Sequence, residues 1–189
     1  MKNLWISIKF TLAMCVVLFV GYVLVLRLVA WVASPNDGEA ALVEYNGKVV
    51  GAANVGQAFT DSVYFWGRPS NVDYNGGGSG GSNKGTTNPE YLAQVEERVD
   101  AFLAAHPYLS REEVPAEMVT ASGSGLDPDI SPRGAEVQIR RVAEARGMSV
   151  EEVKRIVDSV TEGPWLGLFG TSKVNVLKLN VALDTAQNK

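Results

Sequence analysis

The sequence predicts an α/β protein with a single N-terminal transmembrane helix and one small extracytoplasmic α/β domain. The first observation is that residues 1–33 of the 189 are mostly apolar and carry three basic and no acidic side chains. The second is that the rest of the chain holds the other 14 basic and all 21 acidic side chains, a net charge of −7. The third is that strand-like segments lie near both ends of this longer part, with helix signals between them, which is typical of a mixed α/β domain.

Residues 10–33 are predicted to form the transmembrane helix. Seventeen uncharged residues separate Lys9 from Arg27, and the 24 residues of the segment are enough helix to cross a hydrocarbon core of about 30 Å. Arg27 lies near one end, where its long stem can reach the lipid headgroups. Trp5 and Trp31 fall near the two interfaces, as aromatic residues of membrane proteins do.

The charges on either side of the span predict its orientation. Two lysines precede it, whereas three acidic residues and one lysine follow within residues 34–48. The positive-inside rule therefore places residues 1–9 in the cytoplasm and residues 34–189 outside. A cleaved signal peptide is the alternative, but the apolar stretch is long for one. Cleavage after Ala33 would also put Trp31 where a small residue is required.

The predicted extracytoplasmic domain begins with strand signals and a loop. Residues 42–59 contain β-branched and aromatic residues among glycines, which predicts one or two short strands. Residues 75–87 are almost all Gly, Ser and Asn, which predicts a low-complexity loop. Gly76, Gly78 and Gly81 match the pattern G-x-G-x-x-G formally. No apolar strand leads into them, so we do not predict a dinucleotide site.

Three segments begin with a side chain that caps a helix and end at glycine or proline. They run from Asn88 to the residue before Pro107, from Ser131 to Gly147, and from Ser149, in a capping box with Glu152, to the residue before Gly163. The last segment, 174–183, stays ambiguous. Its apolar residues alternate as in a strand, whereas its final turn is also compatible with a helix.

The counts of reactive residues exclude most chemistry within this chain. Structural zinc needs about four Cys or His ligands, and the chain has one Cys and one His, so no metal site is predicted. Cys15 lies in the apolar run and is interpreted as a small hydrophobic residue. We expect His106, which precedes Pro107 at a helix end, to be a cation near the negative end of the helix dipole. No base is evident for Ser122 or Ser124, so no catalytic residue is predicted, and the acidic balance argues against nucleic acid.

An oxygen-rich turn at Asp127 begins like a calcium-binding loop, with oxygens at its first, third and fifth positions. Its sixth position is Pro132 where glycine is needed, and its twelfth is Gln138 where a bidentate glutamate is needed. The segment is therefore interpreted as a tight turn that leads into a capped helix.

The densest aromatic cluster outside the anchor is Tyr64-Phe65-Trp66, followed by Gly67 and Arg68. Three consecutive aromatic residues cannot all point inward from a strand, so at least one should face outward. A partner-contact site and a local core plug are both open interpretations. Arg68 can pair with a carboxylate or cap carbonyl groups.

Several segments of this chain together resemble the KdpC family, which belongs to the Kdp high-affinity potassium-transporting P-type ATPase. They are Tyr64 to Ser70 (Y-F-W-G-R-P-S), Ser79 to Asn83, Asn88-Pro89, Val114 to Gly147 with V-T-A-S-G-S-G-L-D-P, and Val174 to Asp184. The resemblance covers essentially the whole chain. The chain has Asp129 where that family often has histidine, and Thr171-Ser172-Lys173 where a proline is common.

The resemblance implies a subunit of a bacterial plasma (inner) membrane complex. Its partners would be a channel-like potassium-binding subunit, a P-type ATPase catalytic subunit and a very small fourth subunit. ATP, magnesium and potassium would be handled by those partners, and no cofactor would bind here directly. The family is described as a chaperone that raises the ATP affinity of the catalytic subunit, or as an assembly factor.

Within that resemblance we expect partner contact at two short stretches. The expected contact residues are Tyr64, Phe65, Trp66, Arg68, Ser79, Gly80, Gly81, Ser82 and Asn83. Four further residues of the family motifs, Ser122, Ser124, Asp127 and Gln138, receive no assigned role.

A domain outside the membrane cannot touch cytoplasmic ATP, so the sequence favours a non-catalytic subunit that clasps the large subunits from outside. Three alternatives remain. The acidic domain could gather potassium at the pore entrance. With the opposite topology it could bind ATP directly as a co-catalyst. It could also be a passive anchored domain without a regulatory role.

Overall fold

A computed structural model describes residues 2–187 of the chain; Met1, Asn188 and Lys189 lie outside the described residues. The chain forms two compact units, Met1–Ala41 and Leu42–Lys189. The first unit is a helix, α1, that runs over Lys2–Ala33 and is long and apolar enough to cross a membrane. It contains a π-helical segment at Val16–Tyr22 and buries none of its side chains within the chain.

Arg27, a charged residue near the end of the apolar helix, pairs within its own unit. Arg27 Nη2 lies 2.7 Å from Glu39 Oε1, on the turn that follows α1. Both side chains are exposed, so the pair adds little to stability. Cys15 is an exposed free thiol on α1, consistent with its interpretation as one of the apolar residues of the helix.

The second unit mixes short strands with helices, as predicted. Its elements in chain order are β1 Leu42–Tyr45, β2 Lys48–Ala52, α2 Pro89–Ala105, β3 Asp129–Ile130, α3 Pro132–Glu136, α4 Ile139–Arg146, α5 Val150–Val160, β4 Thr161–Glu162, β5 Lys173–Asn175 and α6 Val176–Gln187. Short 3₁₀ turns occur at Arg111–Glu113 and Ala116–Met118.

The strands form two small antiparallel sheets. Strands β1 and β2 make a hairpin through Asn46-Gly47, both at positive φ, as an Asn-Gly type I′ turn requires. The other sheet has the order β3-β5-β4, so the late strand β5 lies in its centre. Ile130 pairs with Val174 and Thr161 also pairs with Val174 on its other side.

The predicted helix starts are confirmed. The Asn88 side chain accepts a hydrogen bond from the backbone N–H of Tyr91 at 3.1 Å, and the Ser149 hydroxyl accepts one from Glu152 at 3.2 Å. The ambiguous C-terminal segment divides into strand β5 and helix α6. Asn175 ends the strand, and its side chain accepts from the N–H of Lys178 at 3.0 Å, which starts the helix.

The predicted continuous helix from Ser131 to Gly147 is wrong, because it breaks after α3. In an unbroken helix the N–H of Gln138 would bond to the carbonyl of Gly134. Here the Gln138 side-chain Nε2 donates to the Gly134 carbonyl at 3.0 Å, and the backbone N–H of Gln138 donates to the Ala135 carbonyl instead. The side chain thus competes with its own backbone.

One hydrophobic core joins the helices and the central strand. It is formed by buried apolar side chains such as Phe65, Val99, Phe102, Ile130, Val142, Val153, Leu179 and Leu183. Phe65, from the aromatic segment, is completely buried among them. Phe65 therefore anchors the segment between the β1–β2 hairpin and α2 to the core, and Phe59 and Trp66 pack against it.

Candidate functional site

The aromatic segment Ser62–Trp66, which we call the clamped segment, lies outside both sheets and is held by side chains of other elements. Four residues hold it, and we call them the clamp residues: Gln138, Arg141, Arg146 and Asn180. Buried backbone N–H and C=O groups need partners. The clamp residues provide them where a neighbouring strand would otherwise do so.

Two clamp residues imitate a strand with their amide groups. Asn180 Oδ1 accepts from the Phe65 N–H at 2.8 Å, and Asn180 Nδ2 donates to the Phe65 carbonyl at 3.0 Å. Gln138 Oε1 likewise accepts from the Trp66 N–H at 2.8 Å, while its Nε2 donates to the Trp66 carbonyl at 3.2 Å. Both amides are buried and use donor and acceptor together, which leaves no polar atom of the pair unsatisfied.

The guanidinium of Arg141 gathers acceptors around it without a direct carboxylate contact. It donates from Nη1 to the Ser62 carbonyl at 2.6 Å and from Nη2 to the Tyr64 carbonyl at 3.0 Å and to Gln138 Oε1 at 2.8 Å. Its plane lies over the Trp66 ring, with Cζ 4.2 Å from the ring centroid. Burial lowers the pKa of Arg141 to about 10, so the group stays charged at neutral pH.

The fourth acceptor of Arg141 is the imidazole of His106, whose Nε2 receives the Arg141 Nε–H at 2.9 Å. Because arginine can only donate, Nε2 must carry the lone pair, and the proton sits on Nδ1. Nδ1 lies 2.7 Å from the Phe102 carbonyl, to which it donates. His106 is thus held as one neutral tautomer and is fully buried.

The expectation that His106 is a cation at a helix end is wrong. Burial in the core lowers its pKa to about 4, an effect that the nearby positive Arg141 reinforces. The hydrogen bond to the Phe102 carbonyl acts in the opposite direction and is outweighed. Removal from water disfavours the charged form more than the helix end favours it.

The neutral state of His106 predicts a pH dependence of stability. Between pH 6.5 and about 4 the unfolded state binds a proton that the folded state does not. The stabilisation is therefore complete above pH 6.5 and is lost as the pH falls toward 4, by about 3 kcal/mol in all. Denaturant unfolding of the purified chain in detergent across this range measures it. His106→Gln should flatten the slope, and an unchanged slope in that variant would contradict the assignment.

The remaining clamp residue, Arg146, ties the clamped segment to α6. It donates to the Val63 carbonyl at 2.6 Å and to Asp184 Oδ1 at 2.7 Å, and its side chain is only 3% exposed. The Tyr64 hydroxyl donates to the other oxygen of Asp184 at 3.2 Å. Burial, and then the negative charge of Asp184, raise the pKa of the Tyr64 hydroxyl.

A second group of contacts holds the chain after the clamped segment. Arg68 Nη1 forms an ion pair with Asp127 Oδ2 at 3.0 Å, so it pairs with a carboxylate as one of its two interpretations expected. Its Nε is buried and makes no hydrogen bond to the described residues. Tyr74 donates its hydroxyl to the Arg68 carbonyl, and Ser70 donates to the Gly125 carbonyl at 2.7 Å.

The Gly/Ser-rich loop is attached to the A-S-G-S-G turn at residues 121–125. The N–H of Gly80 and the hydroxyl of Ser79 both donate to the Ser124 carbonyl, at 2.9 and 3.0 Å. Ser122 is buried, and its N–H donates to the Pro69 carbonyl at 3.1 Å. Ser124 therefore holds the loop through its backbone carbonyl, whereas the backbone N–H of Ser122 holds Pro69 in the chain after the clamped segment.

The turn itself requires a glycine at one position. Gly125 has φ +67°, and a Cβ there would lie 2.5 Å from Val72 Cγ2 and 3.0 Å from the Gly80 carbonyl oxygen. A Cβ on Gly123, two residues earlier, would lie in open space. The close approach of Gly125 is what lets the Gly/Ser-rich loop lie against the turn.

The residues expected to contact a partner differ in their exposure. Phe65 is fully buried and fills the core, whereas Tyr64 and Trp66 remain partly exposed. Trp66 lines a mostly apolar surface groove of about 280 Å³ with Phe59, Phe102 and Met118. Asn83 is exposed and Gly80, Gly81 and Ser82 are partly so. Contact of these residues with a partner stays a prediction.

Sequence reasoning missed three of the four clamp residues. Arg141, Arg146 and Asn180 each lie on a helix face that is otherwise apolar. A polar residue in such a position was the one sign in the sequence that could have indicated them. A polar residue on a buried face must find a partner, although nothing local indicates which one. Among the described residues 2–187, no three His, Cys, Asp or Glu side chains come together in a way that could hold a metal ion.

The fold and the site define a class of protein. It has one apolar helix of membrane-spanning length and a small α/β domain whose buried polar side chains hold an aromatic segment in place. The sequence matches the KdpC family, described as "K+-transporting ATPase, c chain", over residues 4–185. The chain therefore belongs to the KdpC family of the potassium-transporting ATPase.

Relatives along the full chain agree with this assignment. A protein of Bacteroides fragilis called "Potassium-transporting ATPase KdpC subunit" is 64% identical over 191 residues, which covers 100% of both chains. Proteins with the same description from Flavobacterium psychrophilum and Caldanaerobacter subterraneus are 55% and 45% identical. The matches cover 97% and 94% of this chain and 98% and 92% of those relatives.

Proposed function

We propose that this chain is a non-catalytic subunit that clasps the large subunits of the pump from outside the cell membrane and stabilises their assembly. The observation that carries the proposal is the use of its polar side chains. Gln138 and Arg141, two buried polar side chains of the core, are engaged in holding the clamped segment, and His106 is engaged in holding Arg141. The domain thereby presents a preorganised surface, which lowers the entropic cost of binding a partner.

The proposed partners are the channel-like potassium-binding subunit, the P-type catalytic subunit and the small fourth subunit. The groove beside Trp66 and the Gly/Ser-rich loop are the proposed contact surfaces. Arg68 lines a separate polar pocket with Asp127 and Lys173, so contact of Arg68 with a partner would lie there rather than in the groove. ATP, magnesium and potassium would be bound by those partners.

An effect on nucleotide affinity would pass through the membrane subunits. With the domain outside, ATP and this chain bind to different sides of the membrane, so the link is a coupling free energy of about 1–3 kcal/mol. Such a coupling raises ATP affinity by the amount that ATP raises the affinity for this subunit. The chaperone description of the family is compatible with this route and does not require a nucleotide site here.

Deleting residues 76–83 should release the subunit from the purified complex, because it removes the Gly80 contact with Ser124 and the expected contact residues of the loop. Co-purification with the other subunits measures the loss. Gly125→Ala should act in the same direction, since its Cβ would displace Val72 and Gly80. Gly123→Ala is the matched control, and the subunit that carries it should still co-purify with the complex. Full retention and normal transport by the deletion variant would refute this contact surface.

The proposed orientation has its own test. A reporter active only in the cytoplasm, fused after Lys189, which lies outside the described residues, should be silent. A reporter that works only outside should be active, because two lysines precede the span and acidic residues follow it. A cytoplasmic signal would instead support the direct ATP-binding alternative.

A further inference from the structure

The segment Pro164–Gly170, which we call the apolar hairpin, exposes four large apolar side chains together. Trp165 is 70% exposed, Leu166 71%, Leu168 80% and Phe169 60%. Single exposed apolar residues are ordinary on protein surfaces, whereas a contiguous group of this kind marks an interaction site. None of the contacts that define the clamped segment involves it.

The hairpin is an ordered structure whose backbone is largely satisfied internally. The N–H of Trp165 donates to the Phe169 carbonyl at 2.8 Å, and the N–H of Phe169 donates back to Trp165 at 3.0 Å. The N–H of Gly167 donates to Pro164 at 2.9 Å, and that of Leu168 to Trp165 at 3.1 Å. Internally paired backbone groups remove the main obstacle to entering a medium without water.

The apolar hairpin carries no charged side chains, and the nearest ones in sequence lie at its base. Residues 163–172 contain no Asp, Glu, Lys or Arg. At the base, Glu162 on β4 lies 3.7 Å from Lys173 on β5, and these two strands pair in the three-stranded sheet. A charge-free tip is thus fixed to the sheet and bounded by a charged base.

The backbone at the tip is strained at an apolar residue. Leu166 has φ +53°, a left-handed conformation that glycine or asparagine adopts at lower cost and that bulky residues rarely adopt. A strained residue at an exposed turn is a feature of functional segments. A leucine at this position therefore indicates that the tip needs an apolar side chain more than a relaxed backbone.

We propose that the apolar hairpin inserts into the interfacial region of the lipid bilayer in which α1 is anchored. The proposal rests on the proposed membrane anchoring of the chain. Eight residues, 34–41, connect α1 to the domain and reach at most about 28 Å, and a domain of this size has a radius of gyration of about 15 Å. A tether of this length allows the hairpin to reach the membrane surface.

Lipid fits the chemistry of the hairpin better than water or a charged surface. Tryptophan is enriched at the level of the headgroups, and Trp, Phe and Leu together form the apolar faces that segments bury at the boundary between headgroups and acyl chains. The absence of charge over residues 163–172 spares the tip any cost of burying an ion. A second attachment beside α1 would limit rotation of the domain over the membrane.

The test places an environment-sensitive fluorophore at the tip of the full-length chain in lipid nanodiscs. In a Cys15→Ala background, Leu166→Cys carries the label, and nitroxide lipids bearing the quencher near the headgroup are included. The tip label should shift to the blue and lose most of its fluorescence. A label at Glu151→Cys, exposed on α5, should keep its fluorescence. Equal behaviour of the two labels would overturn the proposal.

Two further arms separate the possible reasons for failure. The native Cys15, labelled in the unmodified chain, lies on α1 and should be quenched by deep nitroxides if the anchor spans the membrane. Quenching at Cys15 without quenching at the tip overturns the hairpin proposal alone. A tip shielded from water only in the assembled complex, and never quenched by lipid, also overturns it and assigns the hairpin to a protein partner.

A charge placed on the hairpin should abolish insertion without disturbing the fold. Leu168→Asp, 80% exposed, should restore the fluorescence of the tip label because a carboxylate opposes entry into lipid. Leu92→Asp, at a residue 52% exposed in the first turn of α2, is the matched control and should leave quenching intact. Continued quenching in Leu168→Asp would overturn the proposal.

Discussion

Replacing Arg141 by alanine is expected to lower the free energy of unfolding of the α/β domain by about 3–5 kcal/mol, the largest effect of any single substitution proposed for this chain. The guanidinium satisfies two backbone carbonyls of the clamped segment, the Gln138 side chain and the His106 lone pair. Alanine removes the donor to the Ser62 and Tyr64 carbonyls and to His106 Nε2, and it leaves Gln138 Oε1 with the Trp66 N–H alone. It also opens a cavity beneath Trp66.

The adjacent residue offers the control. Arg140 lies on the exposed side of the same helix, where it pairs with Glu144 at 2.9 Å. Arg140→Ala should change the free energy of unfolding by about 1 kcal/mol at most. Denaturant titrations of both variants, purified in the same detergent, compare the two. Similar midpoints for Arg140→Ala and Arg141→Ala would show that the clamped segment does not depend on the buried guanidinium.

Replacing Asn180 by leucine should lower the free energy of unfolding by about 2–4 kcal/mol. The two side chains are similar in size, so the change removes mainly the paired hydrogen bonds to the N–H and carbonyl of Phe65. Both backbone groups would then be buried without a partner. The loss should also appear as faster proteolysis within the clamped segment.

Asn71→Leu controls for the change of residue type, because Asn71 is exposed on the same domain. Its free energy of unfolding should stay within about 0.5 kcal/mol of the parent. Equal free energies of unfolding for Asn180→Leu and Asn71→Leu would show that the hydrogen bonds of the Asn180 side-chain amide to Phe65 do not stabilise the domain.

The parts of the fold that local chemistry specifies were predictable from the sequence. Asn88 and Ser149 begin helices because each short side chain can satisfy a free N–H one turn ahead, and the structure shows both bonds. The early strands and the mixed architecture follow from equally local patterns. The apolar N-terminal stretch is likewise a helix of membrane-spanning length.

The clamp residues were not predictable because their partners are remote. Asn180 bonds to a residue 115 positions earlier, and Arg141 bonds to the Ser62 carbonyl 79 positions earlier. Periodicity shows that such a residue faces the core, but it does not say which backbone group it meets there. His106 was misjudged for the same reason, since the helix end was visible in the sequence and the surrounding core was not.

The separation in sequence between Phe65 and Asn180 determines when the contact between them can form during synthesis. The chain emerges from its N-terminus, so the aromatic segment is synthesised well before α6, which supplies Asn180 and the Asp184 that pairs with Arg146. Contacts of this length form only when both ends are available. A chain that stops before residue 180 lacks the amide that pairs with Phe65 and the carboxylate that pairs with Arg146, so its aromatic segment is held by fewer contacts than in the finished chain.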